Sequence, residues 1–229
     1  MRALVFDAGP VISLTINNLL WLLEPMRDRF GGDFYLPQAV KSELVDRPIR
    51  SKKFKFEALM VLEKIDSGVL KLTADRKIKE MANRIFEIAN HTLSAKGRYL
   101  NLVHQGELEA LAAAIVLDAD ALVIDERTTR AMIEDPDSFV SLMEHRLHTR
   151  ISVNKDNLKK FRNMTKGIRM IRSAEFALVA YHAGFLDRYV LKIPEARKNL
   201  LQAVLWGLKL NGCAISKNEI DQLVDSGLR

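Results

Sequence analysis

Two short apolar runs, Ala3-Leu4-Val5-Phe6 and Ala121-Leu122-Val123-Ile124, each end on an aspartate, Asp7 and Asp125, and each leads into residues of helical periodicity. An uninterrupted apolar run of this length, bounded by turn signals, is the pattern of a strand buried on both faces. Such strands belong to sheets covered by helices on both sides, and the rest of the chain continues the alternation. Gly9-Pro10 sets a proline early in a helix predicted over 11–23, and Gly31-Gly32 closes that segment. Phe34-Tyr35-Leu36 reads as a second strand, and the residues after Pro37 read as a helix over 38–45. Helices are predicted over 54–66 and 75–95, with a strand at 69–72 between them and a loop over 97–105. The helix over 107–117 is apolar nearly all round, which places it centrally. The expected fold is α/β, a three-layer α/β/α sandwich around a mainly parallel sheet, with helical insertions.

Beyond a helix at 128–134 the pattern loosens. Residues 131–172 read as a basic insertion, with a short strand at 151–153 and a basic helix near 156–164, followed by a strand at 168–171 and helices over 174–183, 194–210 and 217–224. With 229 residues and no fixed-period repeat, one elaborated domain over 1–229 is expected. No apolar stretch approaches the ~20 residues of a membrane-spanning helix, and Asp7 interrupts the N-terminus too early for a signal peptide. A single cysteine, Cys213, offers neither an internal disulfide nor a zinc cluster, which fits a cytoplasmic location.

Lys and Arg number 35 against 29 Asp and Glu, a formal charge of +6. That balance suits a polyanionic partner such as nucleic acid. Much of the positive charge lies in 47–55 and 146–172, whereas Glu43, Glu107, Asp7 and Asp125 lie outside both. Carboxylates from several segments can together offer the oxygen ligands that a hard divalent cation takes. Each also has a structural explanation. Asp7 and Asp125 sit where a helix cap is wanted, Glu43 where a solvated helix face is common, and Glu107 where a negative charge favours a helix dipole. Glu109, two positions on from Glu107, should turn to nearly the opposite side of the helix. Spacing by itself does not choose between them. In sheets of this kind sites gather at the carboxyl ends of the strands, so Asp7 and Asp125 are candidates for one shared site.

Four stretches carry a resemblance to the PIN domain, a metal-dependent ribonuclease fold that includes the toxins of many prokaryotic toxin–antitoxin pairs. They are 4–14 around Asp7, 36–40 with Glu43, Gly106-Glu107-Leu108-Glu109-Ala110-Leu111-Ala112, and Val123-Ile124-Asp125-Glu126-Arg127 with Arg130. The tail over 200–224 is similar to that of an archaeal and bacterial PIN subgroup. The resemblance implies that Asp7, Glu43, Glu107 and Asp125 hold one or two Mg²⁺ or Mn²⁺ ions. The family's spacing of its third and fourth acids selects Glu107 over Glu109. It also implies cleavage of RNA, single-stranded in preference, with an antitoxin protein or a second copy as partner. Glu126 is an auxiliary candidate, and Arg127 and Arg130 are candidates for phosphate contact. Relatives often place a hydroxyl residue just after the first acid, where this chain has Ala8-Gly9, so Ser13 is the candidate for that role. The alternative is a weak or inactive module that binds RNA or protein. An aspartyl-phosphate mechanism at Asp7 is disfavoured, because Gly9 stands where a second acid is wanted. Phe54 and Phe56, between lysines, are expected in the core rather than stacked on bases.

Overall fold

The apolar run ahead of Asp7 becomes the middle strand of a five-stranded sheet in the computed structural model, which describes residues 2–100 and 104–227. In chain order the first elements are β1 (Ala3–Phe6), α1 (Ala8–Ile16), α2 (Leu23–Phe30), β2 (Asp33–Pro37), α3 (Gln38–Lys41), α4 (Arg47–Ile49), α5 (Lys55–Asp66), β3 (Leu70–Thr73), α6 (Arg76–Ala89), β4 (Leu93–Ala95), β5 (Arg98–Tyr99) and α7 (Gln105–Val116). There follow β6 (Ala121–Val123), α8 (Arg127–Glu134), α9 (Pro136–Leu147), β7 (Ile151–Val153), α10 (Lys155–Thr165), β8 (Met170–Ile171), α11 (Ser173–His182), α12 (Ala196–Leu210) and α13 (Lys217–Gly227).

The sheet runs β3-β2-β1-β6-β8 with every neighbouring pair parallel, and Leu4 faces Phe34 on one side and Ala121 on the other. All four residues of β1 are buried, as a strand covered on both faces must be. Side chains alternate between the faces. Phe6 and Phe34 meet Phe176 of α11 with ring centroids 5.7 and 6.1 Å apart, while α7 lies against β1, β2 and β6. Buried apolar residues from Leu4 to Val224 form one cluster, and the arrangement is the expected three-layer α/β/α fold. The chain steps from β1 outward to β2 and β3, then returns to β6 and β8 on the other side. The carboxyl ends of β1 and β6 therefore flank a topological switch point, where crossovers leave in opposite directions and open a crevice.

Several boundaries differ from expectation for physical reasons. The helix predicted over 11–23 is two helices. α1 starts at Ala8 and stops at Ile16, and Asn18 adopts a left-handed conformation (φ 56°) that asparagine tolerates. Apolar periodicity ran through the break because Leu19, Leu20, Leu22 and Leu23 are all buried on its far side. The helix over 38–45 gives way after Lys41 to a π-helical turn, Ser42–Asp46, which carries Glu43. The helix over 75–95 ends at Ala89, and residues 93–95 instead form the middle strand of a small antiparallel sheet, β5-β4-β7. Residues 101–103 of the predicted loop lie outside the described residues. The basic stretch 131–172 is woven into the fold, since β7 pairs with β4, α10 packs on α6 and β8 is an edge of the main sheet. Phe54 and Phe56 are 56% and 71% exposed, not core residues. Among the described residues no helix is long and apolar enough to cross a membrane.

Candidate active site

The carboxyl ends of β1 and β6 open into a cavity of about 780 Å³ whose wall includes Asp7, Glu43, Glu107 and Asp125. All four acids singled out in the sequence thus reach one crevice. Glu109, Glu126 and Asp46 join them on the wall, against Arg47, Lys79 and His104, so this is an acidic pocket in a basic protein.

Asp7 leaves β1 with its N–H donating to the Val123 carbonyl at 3.0 Å, and its carboxylate caps α1 by accepting from the Gly9 N–H at 3.5 Å. It is 5% exposed. Burial pushes its carboxyl up to about 7; the Ala8 and Gly9 amides oppose the shift, and the charges of Glu107 and Glu43 add to it. Glu43 projects from the π-helical turn towards the start of α7. Its Oε2 would lie 3.1 Å from a Cβ at Gly106, so the glycine permits the close approach.

Glu107 lies in the first turn of α7, half-buried, and accepts a hydrogen bond from the Thr129 hydroxyl at 2.8 Å. Burial raises its pKa, with Glu126's charge adding to the rise and the Thr129 hydroxyl opposing it. Glu109 lines the same cavity, contrary to the expectation that only one of the two would face it. The pocket meets α7 end-on, and residues on both sides of a helix can border a space that lies over its first turn. The roles differ even so. Glu109 is buried and accepts from the Ala39 N–H at 2.9 Å, anchoring the start of α3.

Asp125, 2% exposed, is gripped from two helices. Ser173 donates its N–H to Oδ1 and its hydroxyl to Oδ2, each at 2.7 Å, and the Ser13 hydroxyl donates to Oδ2 at 3.1 Å. Ser13 therefore serves Asp125 from α1. The stretch after α12 closes over this point. The Ser13 hydroxyl shares its one proton with the Asn211 carbonyl at 3.2 Å, the Ala214 N–H donates to the Asp125 carbonyl at 3.1 Å, and Gly212 lines the cavity. The buried Cys213 thiol lies within reach of Asp125 and Ser173; burial, and then Asp125's charge, push it up to about 12, which keeps it a thiol.

Of the auxiliary candidates, Glu126 lines the cavity and caps α8 by accepting from the Thr129 N–H at 2.7 Å. Arg127 is exposed, and Arg130 pairs with Glu134 at 3.2 Å; neither lines the cavity. Ser173 and Thr129 were missed in the sequence. The available signal was local, a hydroxyl residue opening a helix after a short strand and another three positions after a helix-capping acid. The donor set offers only hard oxygen, the kind Mg²⁺ or Mn²⁺ accepts. As the side chains stand, no three acidic, histidine or cysteine groups among the described residues converge on one point as a formed cation site.

A parallel sheet with carboxylates gathered at its switch point defines a three-layer α/β protein with an acidic crevice. The chain belongs to the PIN domain family: a family model described as a PIN domain matches residues 3–136, more than half of its length. No curated protein and no solved structure matches it. PIN domains are generally nucleases. Ser173 and the 211–214 stretch lie beyond the matched region.

Proposed function

We propose that this protein is a Mg²⁺- or Mn²⁺-dependent endoribonuclease that hydrolyses single-stranded RNA. The observation that carries the reading is the convergence of Asp7, Glu43, Glu107 and Asp125 on one crevice at the switch point of the sheet. Bound there, a divalent cation would supply positive charge to the scissile phosphate and lower the pKa of the attacking water. Asp7, Glu43 and Glu107 offer carboxylate oxygens from three separate elements. Asp125, gripped by Ser13 and Ser173, is the fixed member of the set. Water adds to phosphorus as the bond to the leaving ribose oxygen breaks, one proton passes from the water to a carboxylate or solvent, and the leaving oxygen takes up a proton from solvent to end as a hydroxyl. Arg47 on the cavity wall and the exposed Arg50, Lys52, Lys53 and Lys55 beyond it attract the phosphate backbone without reading its sequence.

The test pairs Mn²⁺ calorimetry with cleavage of a labelled single-stranded RNA. The parent protein should take up Mn²⁺ and cut, and the double variant Asp7→Ala, Asp125→Ala should do neither while keeping its circular dichroism spectrum. Undiminished cleavage by the double variant would sink the assignment. A second reading, a PIN module that binds without cutting, draws support from Asp125, both of whose oxygens already accept hydrogen bonds. It predicts RNA binding with no carboxylate-dependent Mn²⁺ uptake.

Gly106→Ala offers a gentler probe of the same site. The added Cβ, 3.1 Å from Glu43 Oε2, meets the far end of a flexible side chain, so Glu43 shifts rather than the fold. Alanine also favours the helix, by up to about 1 kcal/mol. Thermal stability should hold or rise while kcat/KM falls by up to about tenfold, since the Glu43 carboxylate gives by only a few tenths of an ångström and a displacement near 1 Å at a reacting centre can cost about 100-fold. Unchanged turnover in the variant would remove Glu43 from the reaction.

A further inference from the structure

A second cavity, of about 390 Å³, adjoins the acidic crevice and shares His104, Glu107 and Glu126 with it. Its far side has a different character. Leu100, Met143 and Leu147 supply apolar surface, Thr128 a hydroxyl, and Arg146 the positive charge. Arg146 is exposed and makes no ion pair among the described residues, unlike Arg130 on the preceding helix, which is spent on Glu134. Leu147 is 41% exposed although it sits on a cavity wall. An apolar recess next to an uncommitted guanidinium, at the edge of a phosphate-cleaving crevice, has the two complements of a nucleotide, a flat face for the base and a charge for its phosphate.

We propose that this cavity is a nucleotide subsite. It takes the unstacked base flanking the scissile phosphate against Leu100, Met143 and Leu147, with the adjoining phosphate on Arg146. The assignment rests on the ribonuclease reading for the identity of its ligand and on the continuity of the two cavities for its place. A base still stacked in a duplex cannot enter such a recess without being extruded, so the subsite also accounts for a preference for single strands. It gives the α8–α9 segment a role distinct from that of the 47–55 loop. The loop attracts any polyanion, whereas the cavity engages one nucleotide.

The only native cysteine is buried, so a thiol placed in the cavity can be read alone. Leu147→Cys is titrated with a fluorescent maleimide in a chelator, with and without a saturating single-stranded RNA whose binding is followed by anisotropy. A control variant, Lys155→Cys, carries its thiol at the start of α10, outside both cavities. Bound RNA should slow labelling at 147 at least tenfold and leave 155 within twofold. In parallel, Arg146→Gln should weaken RNA binding at least threefold more than the charge-matched Arg150→Gln. Equal labelling at 147 with RNA demonstrably bound, or equal losses for the two arginine variants, would overturn the subsite. Protection at 147 without any Mn²⁺-dependent cleavage would leave the subsite standing and fail the nuclease reading instead.

Discussion

In the presence of a chelator, Asp7→Asn should unfold at a higher temperature than the parent protein. The carboxylate it replaces is 5% exposed, and burial together with the charges of Glu107 and Glu43 holds its pKa near 7 against an ordinary value of 3.8. An acid whose folded pKa is raised leaves stability intact below about pH 4 and costs stability as pH rises through the folded value, because the unfolded chain ionises first. The gap between variant and parent should therefore be small at pH 4, widen through pH 7 and level off above it. A shift of this size sets a ceiling of about 4 kcal/mol, and one to a few is expected once neighbours relax. Asparagine is also a good helix cap, so α1 keeps its Gly9 contact. The same substitution should abolish cleavage. Urea melts of both proteins at pH 4.5 and 8 decide the point, and a gap that does not change between them would mean that the charge at Asp7 carries no such cost. The gain in stability with the loss of activity would mark a position held for function at the expense of the fold.

Arg172→Ala should destabilise the fold. The residue is 8% exposed, and its guanidinium donates to Glu175, to Glu219 at 2.8 Å and to the Ala214 carbonyl at 2.8 Å. It thereby ties α11, α13 and the 211–216 stretch to one point. Removing the arginine strips Glu175 and Glu219 of their partner and the Ala214 carbonyl of its donor, and because the two carboxylates stay 33% and 43% exposed the cost is discounted from that of a fully buried pair to roughly 1–3 kcal/mol. Arg172→Lys keeps the charge but loses the fork that reaches three acceptors at once, and it should recover only part of the loss. Because Glu175 and Glu219 stay 33% and 43% exposed, their pairing with Arg172 is partly screened, and 1 M salt should narrow the difference between variant and parent. A cost below about 1 kcal/mol in urea unfolding would show that α12 and α13 dock through their apolar faces alone. Ser173 adjoins Arg172 and holds Asp125, so loss of the arginine should also lower activity at temperatures where the protein stays folded.

What was legible in the sequence was what is local. Asp7 and Asp125 stood out because a run of four apolar residues, an acid and a helix start are contiguous, and their shared crevice followed from strand ends in a parallel sheet. The seven-residue stretch around Glu107 was equally compact. Glu43 was placed on the right segment but in the wrong backbone form, since a π-helical turn differs from an α-helix by one extra residue and leaves the apolar pattern almost unchanged. The pairing of residues 93–95 with 151–153 was invisible, because more than fifty residues separate the strands and each is only three long. Ser173 escaped notice for the same reason. Its partner lies 48 positions away, and a serine at the head of a helix usually needs no other explanation. The exposed Phe54 and Phe56 went against the expectation that aromatic residues in a helical pattern face inward. Phe54 instead begins its helix in a left-handed conformation (φ 59°), which turns the residue outwards.

β8 is short, two residues, and lies at the edge of the sheet beyond the part of the chain that the family match covers. The N–H groups of Leu122 and Ile124 donate to the carbonyls of Arg169 and Ile171, both at 2.8 Å, and both donor residues are fully buried. A chain cut after residue 136 would turn this inner strand into a bare, apolar margin with a row of unsatisfied amides, the kind of template on which other chains add strands. The matched region thus ends short of the strand that covers this side of the sheet. What lies after it protects the sheet from self-association as much as it furnishes the crevice.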